Sequence, residues 1–174
     1  MKYEVIPIEW DAKYEKEIAE VYRLLKDQEK KIFDLTWYDN NPCDLFDYIE
    51  TMLQNGYIFV TKEDDNICGM FILEDIRTYK DRIISADVHT AIRRKYWGQQ
   101  SRDICDAFID YSKELGIEKL IAEVPQCSYG VIKLLKDIGF KHCGTVPNML
   151  MYKNKNNEDK LYDGLIYSLE LKGE

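Results

Sequence analysis

Residues 86–108 read ADVHTAIRRKYWGQQSRDICDAF, and the reading of this stretch decides the fold. Its opening belongs to a run from Arg82 to Ile92 that is rich in β-branched residues, which predicts a strand. From Ser101 the apolar residues Ile104, Phe108, Tyr111 and Leu115 fall on one stripe and stop at Gly116, which predicts a helix over 101–115 with a glycine at its end. Between strand and helix and in the helix's first turn, Arg93, Arg94, Lys95 and Arg102 crowd together in a chain whose net charge is −8. Such a local excess suits a site for one small polyanion, and it equally suits a solvated charged turn.

Working outward, Lys2 to Ile8 alternates apolar and polar residues and predicts a first strand. Ala12 to Lys26 carries Ile18, Val21, Tyr22 and Leu25 at helical spacing, and Asn41-Pro42 opens a second helix with Leu45, Ile49, Met52 and Leu53 on one face. Tyr57 to Thr61 and Ile67 to Glu74, joined by Glu63-Asp64-Asp65-Asn66, predict a hairpin, and Arg82 to Ile92 lies beside it. After the central helix come a short buried strand, Lys119 to Val124, a short helix, Ser128 to Asp137, and a strand starting at Gly139-Phe140. Lys153 to Lys160 predicts a solvated connection, and Tyr162 to Leu171 the last strand. Strands and helices in this order imply an α/β (α+β) protein with a mixed central sheet and helices on both faces.

Composition narrows the possibilities. At 174 residues, with 45% hydrophobic residues and no linker or repeat, residues 1–174 are expected to form one domain with an ordinary core. The acidic balance argues against nucleic acid as a partner. No segment approaches the ~20 apolar residues of a membrane span, so the expected location is cytoplasmic, without membrane association. The five cysteines include no C-x-x-C pair, and with only His89 and His142 in the chain no metal site is expected.

The segment Arg94-Lys95-Tyr96-Trp97-Gly98-Gln99-Gln100-Ser101, together with Gly139-Phe140 after a short helix and Asp163-Gly164-Leu165-Ile166-Tyr167 near the end, resembles the GCN5-related N-acetyltransferases, the GNAT family. The resemblance covers nearly the whole chain and extends, in the strand-turn-helix segment, to acetyltransferase-like proteins encoded by phages. It implies about seven strands, of which the fourth and fifth, Arg82 to Ile92 and Lys119 to Val124, form a parallel pair that splays apart. Acetyl-CoA is the implied cosubstrate, its pantetheine arm lying along His89, Thr90, Ala91 and Ile92. Its pyrophosphate would meet the helix start, where unpaired amides and the macrodipole favour an anion. That turn comprises Trp97, Gly98, Gln99, Gln100, Ser101 and Arg102. The family pattern there is Q/R-x-x-G-x-G/A, and this chain departs from it: Trp97 stands at the Q/R position, and Gln100 and Arg102 replace both key glycines. Ser128 stands where the family often has a pantetheine-binding asparagine, and is also expected to cap its helix.

Acetyl transfer to an amine requires a base, an oxyanion contact and an acid for the thiolate. Glu123, near the end of the fifth strand, is the candidate base, with a solvated strand-end carboxylate as the competing reading. His89 is the second candidate, with Asp87 on its face by alternation, and a buried structural histidine is the competing reading. The family's frequent tyrosine acid falls at Leu135, and Tyr129 is the nearest substitute hydroxyl. Phe33, Asp34, Trp37, Tyr38 and Asp39 offer an aromatic and acidic stretch for a cationic small-molecule amine or peptide acceptor. The expected activity is acyl-CoA-dependent N-acetyl transfer by direct attack in a ternary complex. The missing glycines and tyrosine keep open a catalytically inactive binding or assembly protein of the same fold, and a homodimer is an open option.

Overall fold

The computed structural model describes residues 2–29, 42–54, 57–153, 156 and 158–171. In chain order the elements are β1 (Glu4–Ile8), a 3-10 turn (Ala12–Tyr14), α1 (Glu15–Glu29), α2 (Pro42–Gln54), β2 (Ile58–Glu63), β3 (Asn66–Tyr79) and β4 (Arg82–Ile92). A second 3-10 turn (Arg94–Tyr96), α3 (Gln99–Glu114), β5 (Lys119–Pro125), α4 (Tyr129–Asp137), β6 (Lys141–Lys153) and β7 (Asp159–Glu170) follow. The strands form one seven-stranded sheet in the order β1-β2-β3-β4-β5-β7-β6. All neighbours are antiparallel except β4 and β5. This is the mixed sheet expected from the sequence.

Helices cover both faces, and each face has its own core. On one, Val21, Leu24 and Leu25 of α1 and Ile49 and Leu53 of α2 are buried against Ile58, Met70, Ile72 and Ala91. On the other, Ile104 and Phe108 of α3 and Leu135 of α4 are buried with Phe71, Leu73, Ala86, Leu120 and Tyr167. Phe108 stacks on Phe71 with centroids 4.0 Å apart and planes 3° from parallel. That contact fixes the axial position of α3 over β3, and with it the height at which the helix begins. Burying two such rings is worth several kcal/mol from apolar area alone, at ~25 cal/mol per Å².

Three expectations need correction. The first helix begins with a 3-10 turn, where the Asp11 carboxylate accepts from the Lys13 amide at 2.9 Å, before α1 proper starts at Glu15. The third strand does not stop at Glu74 but runs to Tyr79, because register shifts at Glu74/Arg77 and Arg77/Thr78 absorb the break in alternation. The connection read over 153–160 is shorter: Lys153 ends β6 and Asp159 begins β7, while 154, 155 and 157 lie outside the described residues. Asn41, proposed to cap the second helix, lies outside them too. Pro147 sits within β6, the outermost strand, where a missing N–H interrupts no ladder on the open edge.

Candidate active site

β4 and β5 pair only at their beginnings. Ala86 faces Leu120 and Asp87 faces Ile121, with one further parallel bridge between Ile83 and Ile117. Past that point β4 continues to Ile92 still paired with β3, and β5 continues to Pro125 still paired with β7. The two strands therefore part after Asp87 and Ile121, and the sheet opens into a notch. Each lip is held by its own antiparallel partner, so the opening does not depend on side chains wedging it apart. The lip of β5 ends at Pro125, where the Ser128 amide bonds the Pro125 carbonyl at 2.8 Å and the chain turns into α4.

At the wide end of the notch stands the start of α3. Gly98 precedes it with φ +90°, a region closed to other residues, and a side chain there would meet open space, so backbone angle and not crowding demands glycine. No side chain caps the helix, and its first turn carries no acidic residue. Such a helix start presents its amides and positive dipole end to any anion that arrives. The Ser101 hydroxyl turns inward, donating to the Gly98 carbonyl at 2.7 Å. Arg102 points to α4, where its guanidinium pairs with the Asp137 carboxylate that Lys133 also binds at 2.7 Å. Lys133, and with it Arg102, holds Asp137 below the usual carboxylate range. Trp97 donates its indole Nε1–H to the Ile92 carbonyl at 3.0 Å, and its ring is largely exposed.

On the face of the sheet that carries α1 and α2, period-two alternation lines up Glu74 of β3, Asp87 and His89 of β4, and Glu123 of β5. The register confirms it: Glu74 lies opposite Asp87, Ile72 opposite His89, and Asp87 opposite Ile121, two residues before Glu123. Asp87 shares this face with His89 and accepts from Arg77 at 2.8 Å. His89 is desolvated, which pushes its pKa down to about 4, so its ring is neutral at pH 7. Glu123 is exposed yet crowded: partial desolvation first, then Asp87 and Asp75, raise its pKa, while Arg77 opposes them. Glu74 is half-buried, and desolvation with Asp75, Asp87 and Glu123 raises it to about 7.

The arrangement brings together Glu123, His89, Thr90, Ala91 and Ile92 along the notch, with Trp97 to Arg102 at its end. Thr90 is anchored through its hydroxyl to the Met70 carbonyl at 2.9 Å. Ser128 follows β5, but it makes no side-chain cap to α4, contrary to expectation; its φ of −86° and ψ of 60° depart from the extended geometry of a capping serine. Leu135 is core, and Tyr129 is 79% exposed at the first residue of α4. Phe33 to Asp39 lies outside the described residues. Glu74 is the residue that sequence reading missed. The pairing of β3 with β4, unbroken from Gly69–Ile92 to Glu74–Asp87, is the signal that would have placed it beside Asp87.

Residues 11–161 match the family model described as an acetyltransferase (GNAT) domain. Solved structures share the architecture. The yncA protein from Salmonella typhimurium, solved with its cofactor acetyl-CoA, superposes with a TM-score of 0.72 at 14% identity, covering 100% of this chain and 96% of that one. An N-acetyltransferase from Staphylococcus aureus Mu50 gives 0.71 at 18% identity, covering 99% and 100%. The ribosomal-protein-S5-alanine acetyltransferase from Vibrio fischeri gives 0.70 at 17% identity, covering 98% and 93%. No curated protein sequence matches at a significant level. These likenesses support the family without singling out a phage-type subgroup. Among the described residues no helix is long and apolar enough to cross a membrane.

Proposed function

This chain belongs to the GNAT acetyltransferase domain family, and from that premise we propose that it transfers an acetyl group from acetyl-CoA to an amine by direct attack in a ternary complex. The observation that carries the reading is the parting of β4 from β5 beyond Asp87 and Ile121. A lip of strand whose outward edge has left its neighbour can take an extended amide-bearing chain as a sheet takes an added strand. Pantetheine is such a chain; Thr90 and Ile92, whose backbone groups turn to the notch, are its pairing contacts, and Ala91 lies between them.

The residues at the end of the notch fit a diphosphate. Gly98 brings the backbone round, and the amides of Gln99, Gln100 and Ser101 open an uncapped helix. The larger side chains at 100 and 102 do not prevent this, because a helix-start amide points along the axis while its side chain points outward. Arg102, tied to Asp137, contributes its charge from the flank. Ser128 lies beyond the opposite lip, at the entrance to α4. Acetyl-CoA supplies the activated acyl group, and the chain's own residues orient it and manage the proton.

An alkylammonium acceptor with a pKa near ~10 must lose a proton before it attacks. Glu123 is the proposed base, at the parted section of β5 and on the face away from α3. Glu74 adds a carboxyl that changes its protonation around neutral pH. Asp87, paired with Arg77, stands beside them, and this cluster of carboxyl groups suits a cationic amine. His89, neutral at working pH, serves as a hydrogen-bonding group at the fork of the strands rather than as a proton store.

A thioester-cleavage assay with acetyl-CoA over a panel of alkylamines and basic peptides tests the reading. Turnover with at least one acceptor, and micromolar acetyl-CoA binding by calorimetry, are expected. Failure to bind at millimolar ligand would remove the transferase reading and leave the fold serving another purpose.

A further inference from the structure

Trp97 is the largest apolar side chain at the notch, and its ring is 62% exposed although it is firmly held. Its Nε1–H bonds the Ile92 carbonyl at 3.0 Å, and the Arg94 guanidinium lies 5.9 Å from the ring centroid. The direction of that carbonyl matters. The next amide, Arg93 N–H, bonds Cys68 of β3 at 2.9 Å, and backbone groups of successive strand residues point to opposite edges, so Ile92 C=O faces the notch. Trp97 thus closes the outermost position of the β4 lip and stands beside Gly98, where the chain turns into α3.

We propose that the exposed face of Trp97 is a stacking platform for the adenine of the bound cofactor. The inference rests on the acetyl-CoA reading above and goes one step further along the same molecule. An arm lying on β4 from the fork at Asp87 ends at Ile92, and a diphosphate at the start of α3 must pass Gly98. Whatever continues beyond the diphosphate emerges next to the indole. A flat ring that is already immobilised by a hydrogen bond loses little freedom on stacking, and Arg94, drawn to the same ring, adds positive charge where the nucleotide phosphates lie. Exposure that would be wasteful on a plain turn residue is what a base-stacking surface requires.

The test compares two ligands on three proteins: acetyl-CoA and S-acetyl-4′-phosphopantetheine, which lacks the nucleotide, titrated calorimetrically into the native chain, Trp97→Phe and Trp97→Ala. Expected are an approximately tenfold loss of acetyl-CoA affinity in Trp97→Ala, near-native affinity in Trp97→Phe, and no change for the phosphopantetheine thioester in either. Native tryptophan emission should be quenched by acetyl-CoA and not by the shorter ligand, and this difference should vanish in Trp97→Phe. Equal weakening of both ligands in Trp97→Ala would overturn the platform and assign Trp97 to bracing the strand end. An unchanged acetyl-CoA affinity in Trp97→Ala would overturn it as well. If the native chain binds neither ligand, the cofactor reading falls and takes the platform with it, whereas if only the platform is wrong the native chain still binds both ligands.

Discussion

Glu74 and Glu123 face the same side of the sheet across the fork, and substituting each has a distinct expected signature. Glu123→Gln is expected to lower kcat by roughly 10²–10⁴-fold while leaving acetyl-CoA affinity unchanged, read by steady-state kinetics beside calorimetry; equal rates would remove Glu123 as base. Glu74, raised to about 7, binds its proton in the native state at pH values where the unfolded chain, with an ordinary carboxyl near 4.5, has released it. Stability therefore declines as pH rises from the unfolded value through about 7, and is level above it. Glu74→Gln should remove that decline, gaining about 2 kcal/mol at pH ~8 after allowance for solvent screening and little at pH ~4, as measured by urea unfolding at both. The same substitution should erase a limb near pH 7 from the kcat/KM profile. The position of Glu123 near the end of β5 was legible in the sequence because a strand-end carboxylate stands out on a short apolar run. Glu74 was not, since the carboxylates around it, Asp87 on β4 and Glu123 on β5, are brought there by pairing between strands distant in sequence.

In the proposed function, α3 and the strand before it hold the cofactor end of the site. Gly98 at φ +90° makes Gly98→Ala a backbone lesion: a loss of about 1–2 kcal/mol in stability, visible as a fall of a few degrees in Tm, with weaker acetyl-CoA binding because the helix-start amides are re-aimed. A Gly98→Ala protein with native Tm would mean that the turn tolerates a side chain and is not the constraint described. Arg102→Glu sets a carboxylate beside Asp137 and at the helix start, and is expected to weaken acetyl-CoA more than tenfold, whereas Asp137→Asn should leave the affinity near native or improve it. Equal, small effects of both would place the phosphates elsewhere. The element order and the boundaries of β4 were readable from periodicity and punctuation. Ser128 shows the limit: a serine before a helix has the right chemistry for a cap, but the turn out of Pro125 gives it backbone angles that prevent one.

Two half-sheets meet in this molecule, β1 to β4 on one side and β5, β7 and β6 on the other, joined by the short parallel stretch from Ile83 to Asp87. The sequence resemblance anticipated this parting, which periodicity alone does not reveal, because both strands have ordinary β-branched composition and the gap exists only between them. A ligand that bridges the halves should stabilise the whole: at a hundredfold excess over its Kd, acetyl-CoA is expected to add ~2.7 kcal/mol, or a rise of about 5–10 °C in Tm. The most direct test is hydrogen–deuterium exchange of the full chain with and without acetyl-CoA. Slowed exchange confined to the amides of residues 88–92 and 98–101, joined by residues near Pro125 on the opposite lip, is the predicted outcome. Protection elsewhere with these segments unchanged, at ligand concentrations that saturate binding, would contradict a cofactor lying between the parted strands.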